Sequence, residues 1–425
     1  MNRLNQFCLI ILISIVSVWK VSANGFGLPD QDAFATGRGE AFAATADNPS
    51  AIYYNPAGIT QLQGNNLRGG VYGIYLEPSY APPESAANHG RTYYSSDNFD
   101  AIPQIFYTCT PKDSRVSFGL GVYAPYGGNM KWPQDTGFRS VAISGSLQYI
   151  TINPVVAVKL LPSLSVGAGV MVNYAKLDLH QGLLHLATRE TNFFNFTGDG
   201  WGIGYNAGIL WQPYKKISFG ANFRSSANLN FQGNTDFELQ REPYPVPTQR
   251  NAEAGFTFPL TAVLGVSYRP TPKWNVEFDA NYTGWNSFDN VTIKQSPPAV
   301  VNPFHQDIPV HLGWQASWMY EFGVTRYFDH GWHVSGGYVF NENSVPDKYY
   351  TPLAADLDRD FFSIGAGHDG KIFDFDIAYQ FGCAPAHTVT GSTPSSTPGS
   401  DAGQSADGKY GFSSHALFVT VGLHF

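Results

Sequence analysis

The final residues of the chain alternate: Leu417, Val419, Val421, Leu423 and Phe425 fall on one face, and Phe418, Thr420, Gly422 and His424 on the other. A hydrocarbon environment offers no partner to a bare N–H or C=O, so a sheet that crosses a membrane must close on itself. Its last strand then pairs with its first and turns one apolar face to lipid. An alternating strand that stops on an aromatic residue therefore predicts a bacterial outer-membrane β-barrel, crossing the membrane many times.

The beginning of the chain fits export. Arg3 precedes an apolar run from Phe7 to Val18, and Val21-Ser22-Ala23 offers a small-residue cleavage site. The run is short for a membrane-spanning helix. Residues 1–23 read as a signal peptide, with Asn24 as the first mature residue. Cys8 lies within the apolar run and does not resemble a lipoprotein site. Removing Arg3 and Lys20 with the leader takes the formal net charge from −8 to −10. So acidic a chain is a poor partner for nucleic acid. No apolar run of helix-spanning length follows Ala23, which excludes a helical membrane protein. Charged residues make up only 14% of the chain and aromatic residues 15%, a balance that suits a lipid-facing skin over a crowded interior.

Alternation recurs in the interior of the sequence. Val276, Phe278, Ala280 and Tyr282 alternate with Asn275, Glu277, Asp279 and Asn281. Phe373, Phe375, Ile377, Tyr379 and Phe381 alternate with Asp374, Asp376, Ala378 and Gln380, and Ile217, Phe219, Ala221 and Phe223 with Ser218, Gly220, Asn222 and Arg224. Carboxylates against lipid are costly, so the polar faces line the lumen. A soluble β-sandwich also alternates; the strand lengths and both termini favour the barrel. Tight polar turns fall at Pro111–Ser114, Leu161–Ser163, Gln212–Lys216, Arg269–Lys273, Asp329–Gly331 and His368–Lys371. Longer irregular stretches lie between them, at 77–99, 128–145, 180–199, 232–253, 286–312, 343–360 and 384–413. Six periplasmic turns and seven outer loops link about fourteen antiparallel strands over residues 65–425. Cys109 then sits by a periplasmic turn and Cys383 near the outer rim, which predicts two free thiols.

Residues 24–64 do not alternate. Asn48-Pro49 and Asn55-Pro56 each look like an N-cap followed by proline in the first helical turn, which predicts two short helices. A compact apolar segment at the periplasmic end of a barrel belongs inside it, so 24–64 reads as a hatch that plugs the lumen.

This stretch, from Gly37-Arg38-Gly39-Glu40 through Asn48-Pro49 to Asn55-Pro56-Ala57-Gly58-Ile59-Thr60, resembles the outer-membrane long-chain fatty-acid transporter family, FadL type. Tyr123-Ala124-Pro125-Tyr126-Gly127, Ile152-Asn153-Pro154, Leu164–Gly169, Thr283–Asp289, Ser344-Val345-Pro346-Asp347, Thr351-Pro352 and Asp358-Arg359 are similar to family motifs and run in the family's order. The resemblance implies a fourteen-stranded barrel plugged by the hatch. It implies uptake of hydrophobic molecules, long-chain fatty acids in one branch and aromatic hydrocarbons in another. It also implies capture in a greasy groove among the outer loops, a lumenal site beside the mature N-terminus, and lateral release through a kinked third strand. No cofactor, metal or energy-coupling partner is implied. The partners are the hydrophobic ligand, outer-membrane lipid and lipopolysaccharide, and the barrel is expected as a monomer.

Several residues can carry that scheme. Phe193, Phe194 and Phe196, with Leu183, Leu184 and Leu186, could form the capture patch or could simply pack the loops together. Pro125, Gly127 and Gly128 suit a kink, because proline removes a ladder hydrogen bond and glycine relaxes the backbone; strand pairing would then break there. Phe26 falls beside the expected lumenal site. Arg38, Arg224 and Lys159 are the candidate cations for a carboxylate ligand. Asn55, Pro56 and Ala57 are expected to shape the hatch. A general porin would need charged rows and no plug, and the outer loops at 384–413 could instead be adhesive. Catalysis is disfavoured: no nucleophile motif appears, and His180 and His185 lack a metalloprotease spacing.

Overall fold

The computed structural model describes residues 25–96, 98–183, 193–238, 249–296, 306–354, 356–394 and 404–425. The expected leader over 1–23 lies outside them. Fourteen antiparallel strands form a closed barrel. They are β1 Gly64–Leu76, β2 Phe99–Thr110, β3 in two lengths (Val116–Tyr123 and Gly127–Lys131), β4 Ser144–Leu161, β5 Leu164–Gly182 and β6 Phe193–Tyr214. Next come β7 (Ile217–Arg224, Ala227–Glu238), β8 (Arg250–Phe258, Thr261–Thr271), β9 (Trp274–Thr283, Asn290–Ser296) and β10 (Ile308–His311, Ser317–Tyr327). The last four are β11 Trp332–Asn341, β12 Arg359–His368, β13 Phe373–Val389 and β14 Gly408–His424. Each pairs with its neighbours, and β1 closes on β14 from Asn66↔His424 to Leu76↔Ser414.

The faces are those the alternation predicts. Leu417, Val419, Val421 and Leu423 are exposed on the outside, while Phe418 and Thr420 are buried inside. Asn275, Glu277 and Asp279 of β9 point into the lumen and are fully buried. The six short turns connect the strands at one end. The outer connections are less irregular than expected: β6 starts at Phe193, β7 runs to Glu238, β13 continues to Val389 and β14 begins at Gly408. Long strands pair beyond the lipid-facing band because neighbouring strands are equally long there, so their backbone groups find partners in each other. Cys109 and Cys383 are free thiols.

The N-terminal segment fills the lumen. The two expected short helices are present, as α2 Ala51–Tyr54 and a 3-10 turn over Pro56–Gln61. Asn55 caps the latter, its Oδ1 accepting from the Ala57 N–H at 3.2 Å. Asn48 acts three residues ahead of α2, accepting from Ser50 N–H and Oγ–H at 2.9 and 2.6 Å. An earlier helix, α1 Ala33–Gly37, escaped the sequence reading; Asp32 caps it through the Phe34 N–H. The chain passes so close to the wall that a Cβ on Gly337 of β11 would lie 2.0 Å from the Gly39 nitrogen, and Gly39 itself has φ +63°. Only glycine fits both positions.

Buried charge holds this plug in place. Four consecutive N–H groups, of Phe42, Ala43, Ala44 and Thr45, donate to the carboxylates of Asp279 and Glu277 at 2.7–3.1 Å. Across the barrel, Arg68 of β1 binds Asp32 of the plug together with Asp374 and Asp376 of β13. Breaking one partner of such a buried set strands the other without solvent.

Asp279→Ala leaves the Phe42 and Ala43 N–H groups buried and unpaired, a cost of about 2–5 kcal/mol. Hydrogen exchange should show residues 42–45 losing protection while β9 keeps its own. Unchanged protection at 42–45 would mean that the carboxylate does not hold the plug.

Candidate functional site

Above the plug lies a cavity of about 590 Å3. Its volume lies in the range of small-molecule pockets. Residues Gly25–Asp30 line it, together with inward side chains of the outer barrel and residues of the outer loops. Most of the wall is apolar: Leu28, Ile74, Leu147, Leu177, Leu179 and Leu353 meet the rings of Phe231, Phe256, Phe258 and Phe288. Arg359, at the start of β12, is the single Arg or Lys among the lining residues.

Phe26 reaches the cavity, as expected from sequence. Its ring lies 5.6 Å from Trp285, 5.9 Å from Phe288 and 4.9 Å from Trp314. Trp285 and Phe288 belong to the Thr283–Asp289 motif, which folds here as a 3-10 turn (Trp285–Ser287) between the two lengths of β9. Gly25 has φ +55°, and a Cβ there would stand 2.7 Å from Trp314 and 2.9 Å from Trp285. The Gly25 N–H donates to Asp356 Oδ1 at 3.2 Å. Asp356 also accepts from Ser344 N–H and Oγ–H, and stands 4.0 Å from Arg359. The N-terminus, the outer loop and the one lining arginine thus share a single carboxylate.

The acids in the cavity lining are masked. Glu40 adopts φ +61° and accepts from the Tyr54 hydroxyl at 2.6 Å. Burial, and then the charge of Asp30, push its carboxyl well above the usual range. Burial raises Asp30 as well, although Gln380 Nε2 donates to it at 3.0 Å. Both shifts favour the neutral carboxyl, which makes this part of the lining less hostile to an apolar or anionic molecule.

β3 is interrupted where Pro125, Gly127 and Gly128 predict. The β2–β3 ladder covers Ile105–Cys109 against Phe118–Val122 and ends there. Beyond it, among the described residues, Phe99–Gln104 of β2 pair only with β1, and Gly127–Lys131 of β3 pair only with β4. A lone bridge, Ser96↔Lys131, joins the two sides at the top. Both rims, Asp100–Pro103 and Gly127–Met130, line the cavity. The kink's backbone is satisfied from inside. Leu28 N–H donates to Pro125 O at 2.9 Å, Gly127 N–H to Phe26 O at 3.1 Å, and Gln31 Nε2 to Ala124 O at 2.9 Å.

Other expected residues lie elsewhere. Arg38 does not reach the cavity: it is fully buried, donates to Asn275 Oδ1 and pairs with Glu277 at 3.2 Å, beneath the rings of Phe34 and Phe42. Lys159 is exposed beside the Leu161–Leu164 turn. Leu183, Phe194 and Phe196 are buried in the aromatic core under the loops and do not line the cavity. The reason is that β6 extends out to Phe193, so alternate residues turn inward; the Phe194 ring packs on Phe237 at 4.9 Å. Phe193 is half-buried, with the Arg139 guanidinium 5.3 Å over its ring. Leu184 and Leu186 lie outside the described residues. Asn55, Pro56 and Ala57 hold the plug against β5 and β6: Asn55 Nδ2 donates to Ile209 O, and a Cβ on Gly167 would lie 2.6 Å from the Pro56 carbonyl carbon. Arg359 was visible in sequence only as part of the Asp358-Arg359 motif.

A barrel with this cavity, plug and interrupted wall is an outer-membrane transport channel. A family described as "Outer membrane protein transport protein (OMPP1/FadL/TodX)" matches residues 14–425, and the chain belongs to it. It is a transport protein of the bacterial outer membrane and not an enzyme. It is 24% identical to the long-chain fatty acid transport protein of Salmonella typhi over 411 residues, covering 89% of this chain and 91% of that one. To the protein of the same name from Escherichia coli K12 it is 24% identical over 422 residues, with the same coverage. Its fold is similar to that of a Pseudomonas aeruginosa FadL homologue, with a TM-score of 0.79 at 17% identity over 95% of this chain and all of that one. It is also similar to the Ralstonia pickettii toluene transporter TbuX, with a TM-score of 0.68 at 17% identity over 95% and 99% of the two chains.

Gly25→Val combines a forbidden φ with a clash against two indoles, at a cost of about 1–2 kcal/mol or more. The N-terminal residues should leave the kink, and exchange of the Leu28 and Gly127 amides should rise about tenfold. Unaltered exchange would show that Gly25 does not set the segment's position.

Proposed function

We propose that this protein takes up long-chain fatty acids. The outer loops collect the ligand, the cavity holds it beside the N-terminal segment, and the unpaired stretch between β2 and β3 releases it sideways into the membrane. The observation that carries this reading is Arg359, the one lining cation of an otherwise greasy cavity that reaches the open rims. A carboxylate at Arg359 competes with Asp356, and Asp356 also holds the Gly25 N–H. Ligand arrival would therefore loosen the N-terminal segment that satisfies the kink. The names of the Salmonella and Escherichia relatives support the same substrate class. Residues 1–23 act as the leader and 24–64 as the hatch in this account. The barrel works as a monomer in lipid and lipopolysaccharide, without a cofactor.

Uptake of aromatic hydrocarbons is the second reading. It draws on the rings around Phe26 and on the likeness to TbuX. Expression in cells lacking their own transporter, with surface expression verified, separates the two. Radiolabelled oleate should enter, and Arg359→Met should weaken oleate uptake about tenfold, the worth of one charge-assisted contact. Toluene entry without oleate entry would assign the protein to the aromatic branch.

A pH dependence follows from the neighbouring loop. Asp358 is pushed up to about 7, first by burial and then by the Asp356 carboxylate. The folded loop holds this proton more tightly than the unfolded chain does, so its contribution to loop stability falls as pH rises from the ordinary carboxylate range through about 7. Above that point a new negative charge stands next to Arg359. Affinity for a long-chain alkyl sulfonate, which does not itself titrate, should fall about two- to fivefold between pH 6 and 8, the scale of a half-exposed charge pair. Asp358→Asn should flatten the profile; an unchanged profile in that variant would reject the assignment.

A further inference from the structure

The rim of the wall opening carries an acid. Asp100 of β2 lines the cavity, in the stretch Asp100–Pro103 that lies beyond the end of the β2–β3 ladder. Alternation along β2 turns it inward with Gln104, Phe106 and Thr108, which are buried. Its cross-strand neighbour on β1 is Ile74. Ile74 forms an apolar cluster with Tyr72, Ala416 and Phe418, and Ile102, the next inward residue of β2, packs against that cluster. The facing rim, Gly127–Met130, contributes no charged side chain to the lining.

Asp100 is unlike the other acids of the cavity. Asp30 accepts from Gln380 Nε2, and Glu40 accepts from the Tyr54 hydroxyl. Among the described residues, no cation and no hydrogen-bond donor reaches the Asp100 carboxyl. Arg359, the lining arginine, stands on β12, and β13, β14 and β1 lie between the two. A half-buried carboxyl among aliphatic side chains costs free energy that no partner here offsets. Packing therefore gives no reason for an acid at this position. Ionisable groups at membrane depth mark the paths of solutes. Asp100–Pro103 spans roughly 10 Å at about 3.3 Å per residue, so a headgroup that crosses beside this stretch passes within about a Debye length of Asp100.

We propose that Asp100 is a charge filter on the wall opening, opposing an anionic head and passing a neutral one, so that a fatty acid crosses as the neutral acid. The inference rests on the fatty-acid reading above and adds a selection that capture does not make. Capture at Arg359 favours the anion; the opening favours the uncharged form. The carboxylate that leaves Arg359 takes one proton from water and reaches the rim as a carboxylic acid. Apolar surroundings raise a carboxyl's proton affinity, so the cavity favours that step. A molecule held at Arg359 by its head has its tail free to enter the opening first, and the head passes Asp100 last.

The test uses the full mature protein in liposomes, with three probes of matched chain that differ in the head. Oleyl alcohol is neutral, oleate can take a proton, and oleyl sulfonate stays charged. Asp100→Asn keeps the shape and removes the charge. It should raise sulfonate transfer about three- to tenfold, the scale of one half-buried like-charge contact, and leave alcohol transfer within about twofold. Asp100→Ser, a second neutral side chain, should act the same way, and Asp100→Glu should keep the wild-type ratio of sulfonate to alcohol transfer. A rise for sulfonate and alcohol alike would mean a wider opening and would overturn the filter. If the wild-type protein binds neither oleate nor sulfonate, the fatty-acid reading falls and the filter with it. If it binds both, and the neutral variants transfer sulfonate at the wild-type rate, only the filter falls.

Discussion

Lipid supplies no hydrogen bonds, and that constraint shapes the whole molecule. It forces β1 to close on β14 and makes any gap in the wall expensive. The gap between β2 and β3 exists because its backbone is satisfied from an unusual direction. Phe26, Gly27 and Leu28 run inside the lumen and pair with Pro125, Tyr126 and Gly127 as a surrogate strand. Pro103, in the opposite rim, has no N–H to satisfy. The wall's weakest point and the segment that satisfies its backbone are thus one structure. A ligand that displaces the N-terminal residues removes the partners that hold the kink.

The rest of the plug is built to stay. Its four N–H groups on Glu277 and Asp279, and the Arg68 cluster with Asp32, Asp374 and Asp376, are buried, where an abandoned charge is costly. Lumenal charge in this barrel is spent on holding the plug, in contrast to the opposed charged rows of a diffusion porin. At the cavity wall, Arg359 stands 4.0 Å from Asp356.

Much of this was legible in the chain, for reasons tied to particular residues. The side-chain period of two is rigid, so Asp374 and Asp376 could be placed inside and Phe373 and Phe375 outside without any coordinates. Asn55-Pro56 announced a capped turn, and Pro125 with two glycines announced the kink. The lumenal contacts were harder. Alternation turns Arg224 inward, the hatch reading puts Arg38 in the lumen, and Phe194 and Phe196 read as loop residues, but none of this says what each meets there. Arg38 found Glu277, and the two phenylalanines found core packing, because partners arrive from strands distant in sequence. Arg359 went unchosen because its neighbours Asp356 and Asp358 make it look like a solvated loop charge. Only the fold shows that it borders a greasy cavity. The α1 helix was missed because Asp32 caps only five residues, too few for a periodic signal.

In the proposed route, ligand leaves through the wall while the body of the plug stays fixed. Thr45 Oγ1 and Ser267 Oγ are 3.3 Å apart, and Thr60 Oγ1 and Ser165 Oγ are 2.7 Å apart. Cysteines at both pairs, in a chain with Cys109→Ser and Cys383→Ser, would lock the plug to the barrel at two points and leave Gly25–Asp30 free. The account predicts that oxidised, cross-linked protein takes up oleate as fast as the reduced form. Uptake that stops on oxidation and returns on reduction would contradict it, and would mean that the plug itself must move.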